Sequence, residues 1–272
     1  MDTTSTATAP AREATYAHPL DSLTRSGVQR ALSSAGPVMS GLTRKLNSVL
    51  PLSAAEHLTL DAVQGVSTLV KAGAHIVREG DRPTGFCVLL DGWAFRYKRL
   101  PGGQRQIFAL LLPGDLCEIR SMISSHADHG VCTLTPATLV RTPADKMLAA
   151  VRDHPRIAEA LWRAALLDEA IMRAWLFNLG LRKAPARMAH LFCELACRLR
   201  AIDPTSDDGA FRLPLTQQEL GESLGLTSVH VNRVLQYLRA ESLIDFRNGV
   251  LKVLDMARLR TLGEFDERYL KT

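Results

Sequence analysis

The side chains best suited to recognising another molecule follow one another in residues 216–233. Thr, Gln, Ser, His, Asn and Arg side chains make the hydrogen bonds that read base edges and hold phosphate oxygens. Val229 is the apolar member of the group and could contact a thymine methyl. The pattern predicts nucleic-acid recognition by nine residues: Thr216, Gln217, Gln218, Thr227, Ser228, Val229, His230, Asn232 and Arg233.

Two short helices joined by a tight turn must position these polar groups. Apolar residues recur at helical spacing on the opposite side, at Leu220, Leu224, Leu226, Val231, Val234, Leu235 and Leu238. Thr216 with Glu219 has the form of a capping box that would begin the first helix, and Thr227 stands where the second should begin. The pattern predicts a helix-turn-helix, whose second helix reaches base edges from its N-terminal turn.

A predicted β-hairpin follows the second helix. Residues 243–246 and 250–254 look like short strands around Arg247-Asn248-Gly249. Asn-Gly between apolar runs is a strong hairpin signal, because both residues tolerate positive φ. A helix-turn-helix followed by a hairpin is a winged helix. The alternative is a small helix–hairpin domain with no role in binding nucleic acid.

The middle of the chain has a different pattern. Between residues 74 and 147, short β-rich runs alternate with turn residues such as 79–81, 91–92 and 113–115. Strands this short, with turns at regular spacing, indicate a small all-β sandwich or roll. No helix of three turns fits between the glycines of these turns.

The two regions together resemble one family. Residues 213–254, with Gly221, Gly225 and Arg233, are similar to the DNA-binding domain of the Crp/Fnr family of bacterial transcription regulators. Residues 77–119 resemble the β-roll sensor domain of that family. The resemblance covers roughly residues 48–256. It implies an α+β protein with an N-terminal double-stranded, jelly-roll-like β-roll, a long dimerisation helix and a C-terminal winged helix-turn-helix.

On this basis we expect five segments along the 272 residues. Residues 1–45 begin with many Thr, Ala and Ser residues and are expected to form a flexible N-terminal extension. The remaining segments are the β-roll over 46–150, the dimerisation helix over 151–181, the winged helix-turn-helix over 182–258 and a C-terminal tail over 259–272.

The segment predicted to dimerise contains no Gly or Pro over residues 156–179. Apolar and small residues recur there at the a/d spacing of a coiled coil, with one polar position near the end. The predicted seam consists of Ile157, Ala160, Ala164, Leu167, Ile171, Ala174 and Asn178. The alternative is a helix packed on its own β-roll through Trp162, Leu166, Trp175 and Leu176. The resemblance favours dimerisation.

Two ligands used by the family do not fit this sequence. In cyclic-nucleotide-binding relatives, a Gly-Glu pair after the turn at 114–115 binds the ribose, and a later Arg-Ser pair binds the cyclic phosphate. Here the Glu position is Ile119, although Glu118 could serve after a one-residue shift, and the Arg-Ser positions are His129 and Gly130. A buried phosphate needs a charge-assisted partner, so control by cyclic AMP is not expected. The effector stays unknown.

The cysteines argue against an Fnr-type iron–sulfur cluster, because the first 86 residues contain none. The five cysteines present, an odd number without a signal peptide, suggest reduced thiols. Redox sensing by Cys87, Cys117 or Cys132 is an alternative. Cys193 and Cys197 share one helical face and are expected to be small core residues.

One loop carries four candidate metal ligands. His126, Asp128, His129 and Cys132 are competent ligands close together in the sequence. They look like a loop entering a strand, however, and no CxxC or HExxH spacing accompanies them. Haem ligation by His75 or Cys87 has less support still. We therefore predict no metal and no cofactor.

Composition sets further limits. The net charge of +5 favours an anionic partner. The N-terminus lacks the apolar core of a signal peptide, and no apolar run could span a bilayer, so we expect a cytoplasmic protein without a membrane partner. No P-loop, GxGxxG ahead of a helix, GxSxG or paired carboxylates are present, so no enzymatic activity is predicted.

Together these features predict a homodimeric transcription regulator that binds a palindromic double-stranded DNA site and acts on RNA polymerase. One departure from the family is Val229, where a glutamate that reads cytosine is common. Two alternatives remain. The chain could be a ligand-binding or protein-interaction module whose winged helix no longer binds DNA, or a DNA-binding protein that has no effector at all.

Overall fold

The computed structural model of the protein describes residues 40–82, 85–119, 126–202 and 209–271. Most of the segment expected to be a flexible extension, residues 1–39, lies outside these ranges. The end of that segment begins the first helix, α1 (Gly41–Val49), in which Leu42 and Leu46 are fully buried. No helix among the described residues is both long enough and apolar enough to cross a membrane.

The sensor region consists of short antiparallel strands in two four-stranded sheets. Helix α2 (Ala54–Val63) leads into β1 (Ser67–Val70), β2 (His75–Val77), β3 (Gly85–Asp91), β4 (Ala94–Arg99), β5 (Arg105–Leu111), β6 (Leu116–Glu118), β7 (Gly130–Thr133) and β8 (Ala137–Pro143). One sheet has the order β1-β8-β3-β6 and the other β2-β7-β4-β5. The chain therefore passes repeatedly between the two layers, and the predicted β-roll and the α+β class are confirmed.

Strand β3 shows how the roll is packed. Successive side chains of a strand point to opposite faces, and Phe86, Cys87, Val88 and Leu89 are all fully buried. Phe86 and Val88 pack in the core formed with the surrounding helices, whereas Cys87 and Leu89 pack in the core between the sheets. This strand is apolar on both faces because one face carries helices and the other carries the second sheet.

The long helix follows the roll. Helix α3 (Ala144–Asp153) ends at His154, and α4 (Pro155–Leu181) begins with a proline at a position where no backbone N–H is needed. The structure corrects the predicted dimer seam, because its residues pack inside the chain. Of these, Ile157, Ala160, Ala164, Ile171 and Asn178 are buried, and Leu167 and Ala174 are partly buried.

The helix does pack on its own β-roll, as the alternative had it, because Ile157, Ala160 and Ala164 share a buried cluster with Phe86 and Val88. Of the four side chains named for that packing, only Trp175 is buried, whereas Trp162, Leu166 and Leu176 are exposed. The apolar spacing identified a face that is covered. It did not reveal that the chain itself covers it.

The winged helix is built from helices α5 to α8 and three strands. The elements are α5 (Ala184–Ile202), β9 (Ala210–Arg212), α6 (Gln217–Leu224), α7 (Ser228–Ala240), β10 (Ile244–Arg247), β11 (Val250–Val253) and α8 (Met256–Gly263). The predicted hairpin is confirmed, because Asn248 and Gly249 have φ of 52° and 72° and Arg247 pairs with Val250. Strand β9 adds a third, unpredicted strand beside β11.

The segment expected to be a C-terminal tail belongs to this domain. Leu259 of α8 is fully buried, and a 3-10 turn (Glu267–Leu270) follows. The ring of His190 on α5 stacks on Tyr269 at 6.0 Å and meets the edge of Phe265 at 5.1 Å. The last described residues thus complete the core of the winged helix.

The β-roll and the winged helix share a continuous apolar core. Phe95, Tyr97 and Ile107 from the β4–β5 hairpin lie in the same buried cluster as Met188 of α5 and Leu220 of α6. The sensor sheet therefore packs directly against the helix-turn-helix.

His190 is expected to make stability depend on pH. Burial, reinforced by the charge of Arg182, lowers the pKa of His190 from 6.5 to about 4. The unfolded chain binds this proton at a higher pH than the folded chain does, so stability falls as the pH drops from about 6.5 towards 4. We expect the free energy of unfolding to fall by roughly 2 kcal/mol between pH 7 and pH 5 through this group.

Urea denaturation at both pH values measures this effect. His190→Gln should remove most of the decrease, while the matched variant His230→Gln, at an exposed position, should retain it. A decrease of equal size in His190→Gln would show that another group is responsible.

Candidate nucleic-acid interface

Helix α6 begins where the sequence predicts. The hydroxyl of Thr216 accepts a hydrogen bond from the Glu219 amide at 3.2 Å, and the Glu219 carboxylate accepts one from the Thr216 amide at 2.8 Å. Thr216, Gln217 and Gln218 are exposed at this helix end. The N-terminus of a helix favours anions, so these residues are well placed to hold a phosphate.

A tight turn built on two glycines joins α6 to α7. Gly225 ends α6 in the left-handed conformation, with φ of 63°. The Leu226 amide donates to the carbonyl of Gly221 at 3.0 Å. A side chain at Gly221 would overlap the carbonyl oxygen of Leu226. The close approach of the two helices therefore requires glycine at position 221.

Helix α7 presents polar side chains on its outer face. The Thr227 hydroxyl caps the helix by accepting a hydrogen bond from the His230 amide at 3.3 Å. Its inner face is buried through Val231, Val234, Leu235 and Leu238. All nine residues predicted from the sequence to bind nucleic acid are exposed. Within the described part of the chain, the side chains of Ser228, Asn232 and Arg233 form no hydrogen bond or ion pair.

The structure brings four of these residues to one shallow groove and adds three that were not predicted to bind nucleic acid. The groove is lined by Pro185, Thr227, Val229, His230, Arg233, Val234 and Tyr237. Tyr237 could have been found from the sequence, since Val229, Arg233 and Tyr237 are spaced four apart and share a helix face. Pro185 belongs to α5, so only the folded structure places it there.

Six charged residues meet where the β-roll, the long helix and the winged helix touch. We call them the junction cluster: Lys45, Arg96, Asp115, Asp168, Glu194 and Arg198. Asp115 binds Lys45 at 2.9 Å and Arg198 at 2.7 Å, and Arg198 also binds Glu194 at 3.1 Å. Burial disfavours the charge of Asp115, but Lys45 and Arg198 outweigh it and hold the pKa of this carboxyl well below its ordinary value.

Arg96 extends the junction cluster into the β-roll. Its guanidinium donates to the carbonyl of Leu116 at 2.6 Å and to the carboxylate of Asp168 at 2.9 Å. Burial opposes the charge of Arg96, yet the neighbouring Asp168 is strong enough to raise its pKa. No local signal in the sequence marks this pair, because 72 positions separate the two residues.

The sequence resemblance predicts that His129 occupies the position of the phosphate-binding arginine of cyclic-nucleotide-binding relatives. Its Nδ1 is 2.6 Å from the carboxylate of Asp128. Burial lowers the pKa of His129 despite the opposing effect of Asp128. The side chain is therefore expected to be neutral at pH 7, and a neutral imidazole is a weak partner for a phosphate.

The structure does not bring the candidate metal ligands together. Among the residues that it describes, no three His, Cys, Asp or Glu side chains are grouped as a metal site would need. His126 is 3.4 Å from Arg82, and the Cys132 thiol donates to the carbonyl of Thr133. His75, a candidate haem ligand in the sequence, has its Nδ1 3.1 Å from the Tyr97 hydroxyl.

Two of the three cysteines considered for redox sensing are neighbours. Cys87 and Cys117 lie on the adjacent strands β3 and β6, and both are buried. A hydrogen bond from Cys117 lowers the pKa of Cys87, even though burial opposes the shift. Cys132 belongs to the other sheet and is not part of this pair.

Comparison with known proteins agrees with both halves of the fold. Residues 68–154 match the model of the cyclic nucleotide-binding domain, and residues 186–262 match that of the Crp-like helix-turn-helix domain. The chain belongs to the Crp/Fnr family. It is therefore a Crp/Fnr-type transcription regulator with a DNA-binding helix-turn-helix, and regulators of this kind are not enzymes.

Named relatives of this Crp/Fnr regulator support the assignment. The nitrogen fixation regulation protein FixK of Bradyrhizobium diazoefficiens is 27% identical over 193 residues, covering 71% of this chain and 79% of FixK. The transcriptional activator protein FnrL of Cereibacter sphaeroides is 28% identical over 194 residues, covering 70% and 77%. The solved structure of FixK2 from Bradyrhizobium japonicum has a TM-score of 0.63 at 21% identity, covering 72% and 96%, and shows the shared fold.

Gly221→Ala should destabilise the helix-turn-helix, because the added methyl group would force α6 and α7 apart. We expect a loss of about 1–3 kcal/mol in the free energy of unfolding, as is typical of overpacking. Guanidinium denaturation measures it. The matched variant Gly180→Ala, in helix α4, places its methyl group in open space and should gain roughly 0.5–1 kcal/mol. Equal changes in the two variants would contradict the role given to Gly221.

Proposed function

We propose that this Crp/Fnr regulator is a homodimer that binds a palindromic double-stranded DNA site through α7 and needs no cyclic AMP. The observation that supports DNA binding most directly is the outer surface of the helix-turn-helix. All nine polar or DNA-compatible residues predicted from the sequence are exposed there, on two helices whose inner faces are buried.

The side chains on this surface have different roles in the proposal. Arg233 is the candidate for a bidentate contact with guanine, and Ser228, His230 and Asn232 contact bases or phosphates. Thr216, Gln217 and Gln218 hold phosphate at the N-terminus of α6. Thr227 caps the recognition helix, and Val229 offers an apolar contact to a thymine methyl.

The long helix offers a face for a second copy of the chain, opposite to the predicted seam. At about 100° per residue, five exposed apolar side chains of α4 fall on the side of the helix away from the centre of the buried seam. They are Trp162, Leu166, Met172, Leu176 and Phe177, with exposures from 39% to 73%. We call this the outer face of α4.

A second copy fits the outer face for two reasons. The face runs along most of a 27-residue helix, and several large apolar side chains stand exposed on it on both sides of the Glu169–Arg173 ion pair, as is typical of an interaction surface. Two copies of such a helix can pair around a two-fold axis, which places two recognition helices about 10–10.5 bp apart, in successive major grooves. The half-sites of the DNA should then form a palindrome.

Two residues of the sensor support independence from cyclic AMP. His129 stands at the position of the phosphate-binding arginine and Ile119 at that of the ribose-binding glutamate. We propose that the regulator acts in the cytoplasm and contacts RNA polymerase once bound to DNA, as its likeness to transcriptional activators suggests.

Selection of bound duplexes from a random pool by the purified protein, without ligand, tests DNA binding. A palindrome with half-site centres about 10–10.5 bp apart is the expected result. Binding should weaken steeply as salt rises, because each phosphate contact releases a counterion. A folded protein that selects no motif, with or without cyclic AMP, would favour the alternative of a winged helix that no longer binds DNA.

Arg233→Ala should relax specificity at one base pair of each half-site. Loss of a bidentate contact to guanine removes roughly 1–3 kcal/mol of discrimination at that position. Fluorescence anisotropy with the selected site and its single-base variants measures it. The matched variant Arg239→Ala lies on the same helix, where its guanidinium binds the carbonyl of Phe246, and should leave base preference unchanged. Uniformly weaker binding to every sequence by Arg233→Ala would identify a phosphate contact instead.

Leu176→Glu should prevent dimerisation, because it places a charge in the middle of the outer face. We expect a monomer by sedimentation velocity and a strong loss of affinity for the palindrome, since only one half-site can then be bound. Leu58→Glu is the matched control, at a leucine of α2 with nearly the same exposure, 71% against 73%. It should remain dimeric. If both variants dissociate equally, the outer face of α4 is not the dimer interface.

A further inference from the structure

The junction cluster joins the first helix, the β-roll, the long helix and the winged helix. Lys45 comes from α1, Arg96 and Asp115 from the β-roll, Asp168 from α4, and Glu194 and Arg198 from α5. Each cation binds at least one anion of the cluster at 3.1 Å or less. The cations and anions are equal in number, so the cluster needs no further charge to complete it.

Every member of the cluster is well shielded from solvent. The side-chain exposure ranges from 0% for Glu194 to 19% for Asp168. Breaking one partner of a buried pair leaves an uncompensated charge, which is strongly unfavourable. An orientation of the winged helix that separates Arg198 from Asp115 breaks this ion pair and the hydrogen bond from Arg198 to the carbonyl of Leu110.

A second polar link, outside the junction cluster, joins the same two domains. Arg105 of β5 binds the carboxylate of Glu222 on α6 at 2.6 Å, and the Gln106 amide donates to the carbonyl of Glu222 at 2.6 Å. The Arg105 guanidinium also lies 4.7 Å from the centre of the Phe95 ring. This link therefore contacts the first helix of the helix-turn-helix directly.

We propose that the junction cluster is an internal lock, in which charges of the chain itself make the connections between sensor, long helix and winged helix that a bound effector would otherwise supply. A ligand shifts a conformational equilibrium only as far as it binds one state better than another. Here the connecting contacts are already made, so one orientation of the winged helix is populated without a ligand. The consequence for DNA binding rests on the proposed function above, but the lock itself does not.

Hydrogen exchange of the full-length protein without DNA tests the lock directly. Arg198→Gln breaks the link between Asp115 and α5, while Lys45 still pairs with Asp115. Amides of β5 and α6 should exchange roughly tenfold faster or more, as in a local opening. The matched control is Arg260→Gln, which removes an ion pair with Glu267 contained within the winged helix. It should leave exchange in β5 unchanged.

The Arg105–Glu222 pair is slightly more exposed than the Arg198–Asp115 pair, so its variants are a second test in case Arg198→Gln does not fold. Arg105→Gln should also accelerate exchange at α6, and the double variant Arg105→Glu with Glu222→Arg should restore much of the protection. Wild-type exchange in both Arg198→Gln and Arg105→Gln would overturn the lock, and so would a large gain of protection at the junction when cyclic AMP is added to the wild-type protein.

Affinity for the selected DNA site then measures the consequence of the lock. If a variant populates the locked orientation less, its apparent Kd for DNA rises in inverse proportion. A population reduced to one tenth should raise the apparent Kd by roughly tenfold. Wild-type affinity in variants that exchange rapidly would show that the locked orientation is not the one that binds DNA, and would overturn the proposal. A wild-type protein that binds no DNA contradicts the proposed function, whereas the exchange result still decides whether the lock exists.

Discussion

A charge buried in protein must be paired, and the domain arrangement of this regulator depends on that requirement. The carboxylate of Asp115 sits at the centre, held by Lys45 on one side and Arg198 on the other. Arg96 and Asp168 make the parallel connection between the β-roll and the long helix. The apolar core that spans the β-roll and the winged helix also holds them together, but hydrophobic contact is not directional. The ion pairs are directional, and they define which orientation is the favoured one.

The helix-turn-helix was predictable because its signals are local. The capping box at Thr216, the glycines at 221 and 225 and the Asn248-Gly249 hairpin each act within a few residues, and the structure contains all of them. The outward-facing recognition residues follow from the same periodicity. The junction cluster was not predictable, since its pairs join residues as much as 83 positions apart. The sequence around a charged residue does not indicate whether its side chain is exposed to solvent or buried in a core.

The long helix shows a different limit of sequence reasoning. Spacing of apolar residues reports which face of a helix is covered, and Ile157, Ala160 and Ala164 are indeed covered. It does not report whether the cover is the same chain or a second one, because both contacts select the same side chains. Trp162 and Leu176, on the other face, have side chains equally suitable for packing against the β-roll of the same chain. In the sensor, similarly, residues 68–154 match the cyclic nucleotide-binding domain, but a shared fold does not establish a shared ligand.

The end of the chain reaches further into the molecule than its position suggests. The Tyr269 hydroxyl donates to Glu194 at 2.9 Å, beside the indole of Trp175, which donates to the same carboxylate at 3.0 Å. Removing the residues after the wing would take away one of these donors and expose a carboxylate that also binds Arg198. For protein engineering, this means that a fluorescent reporter or affinity tag fused behind Tyr269 is attached next to a residue that hydrogen-bonds a buried carboxylate. A fusion there could alter regulation without touching either the sensor or the recognition helix.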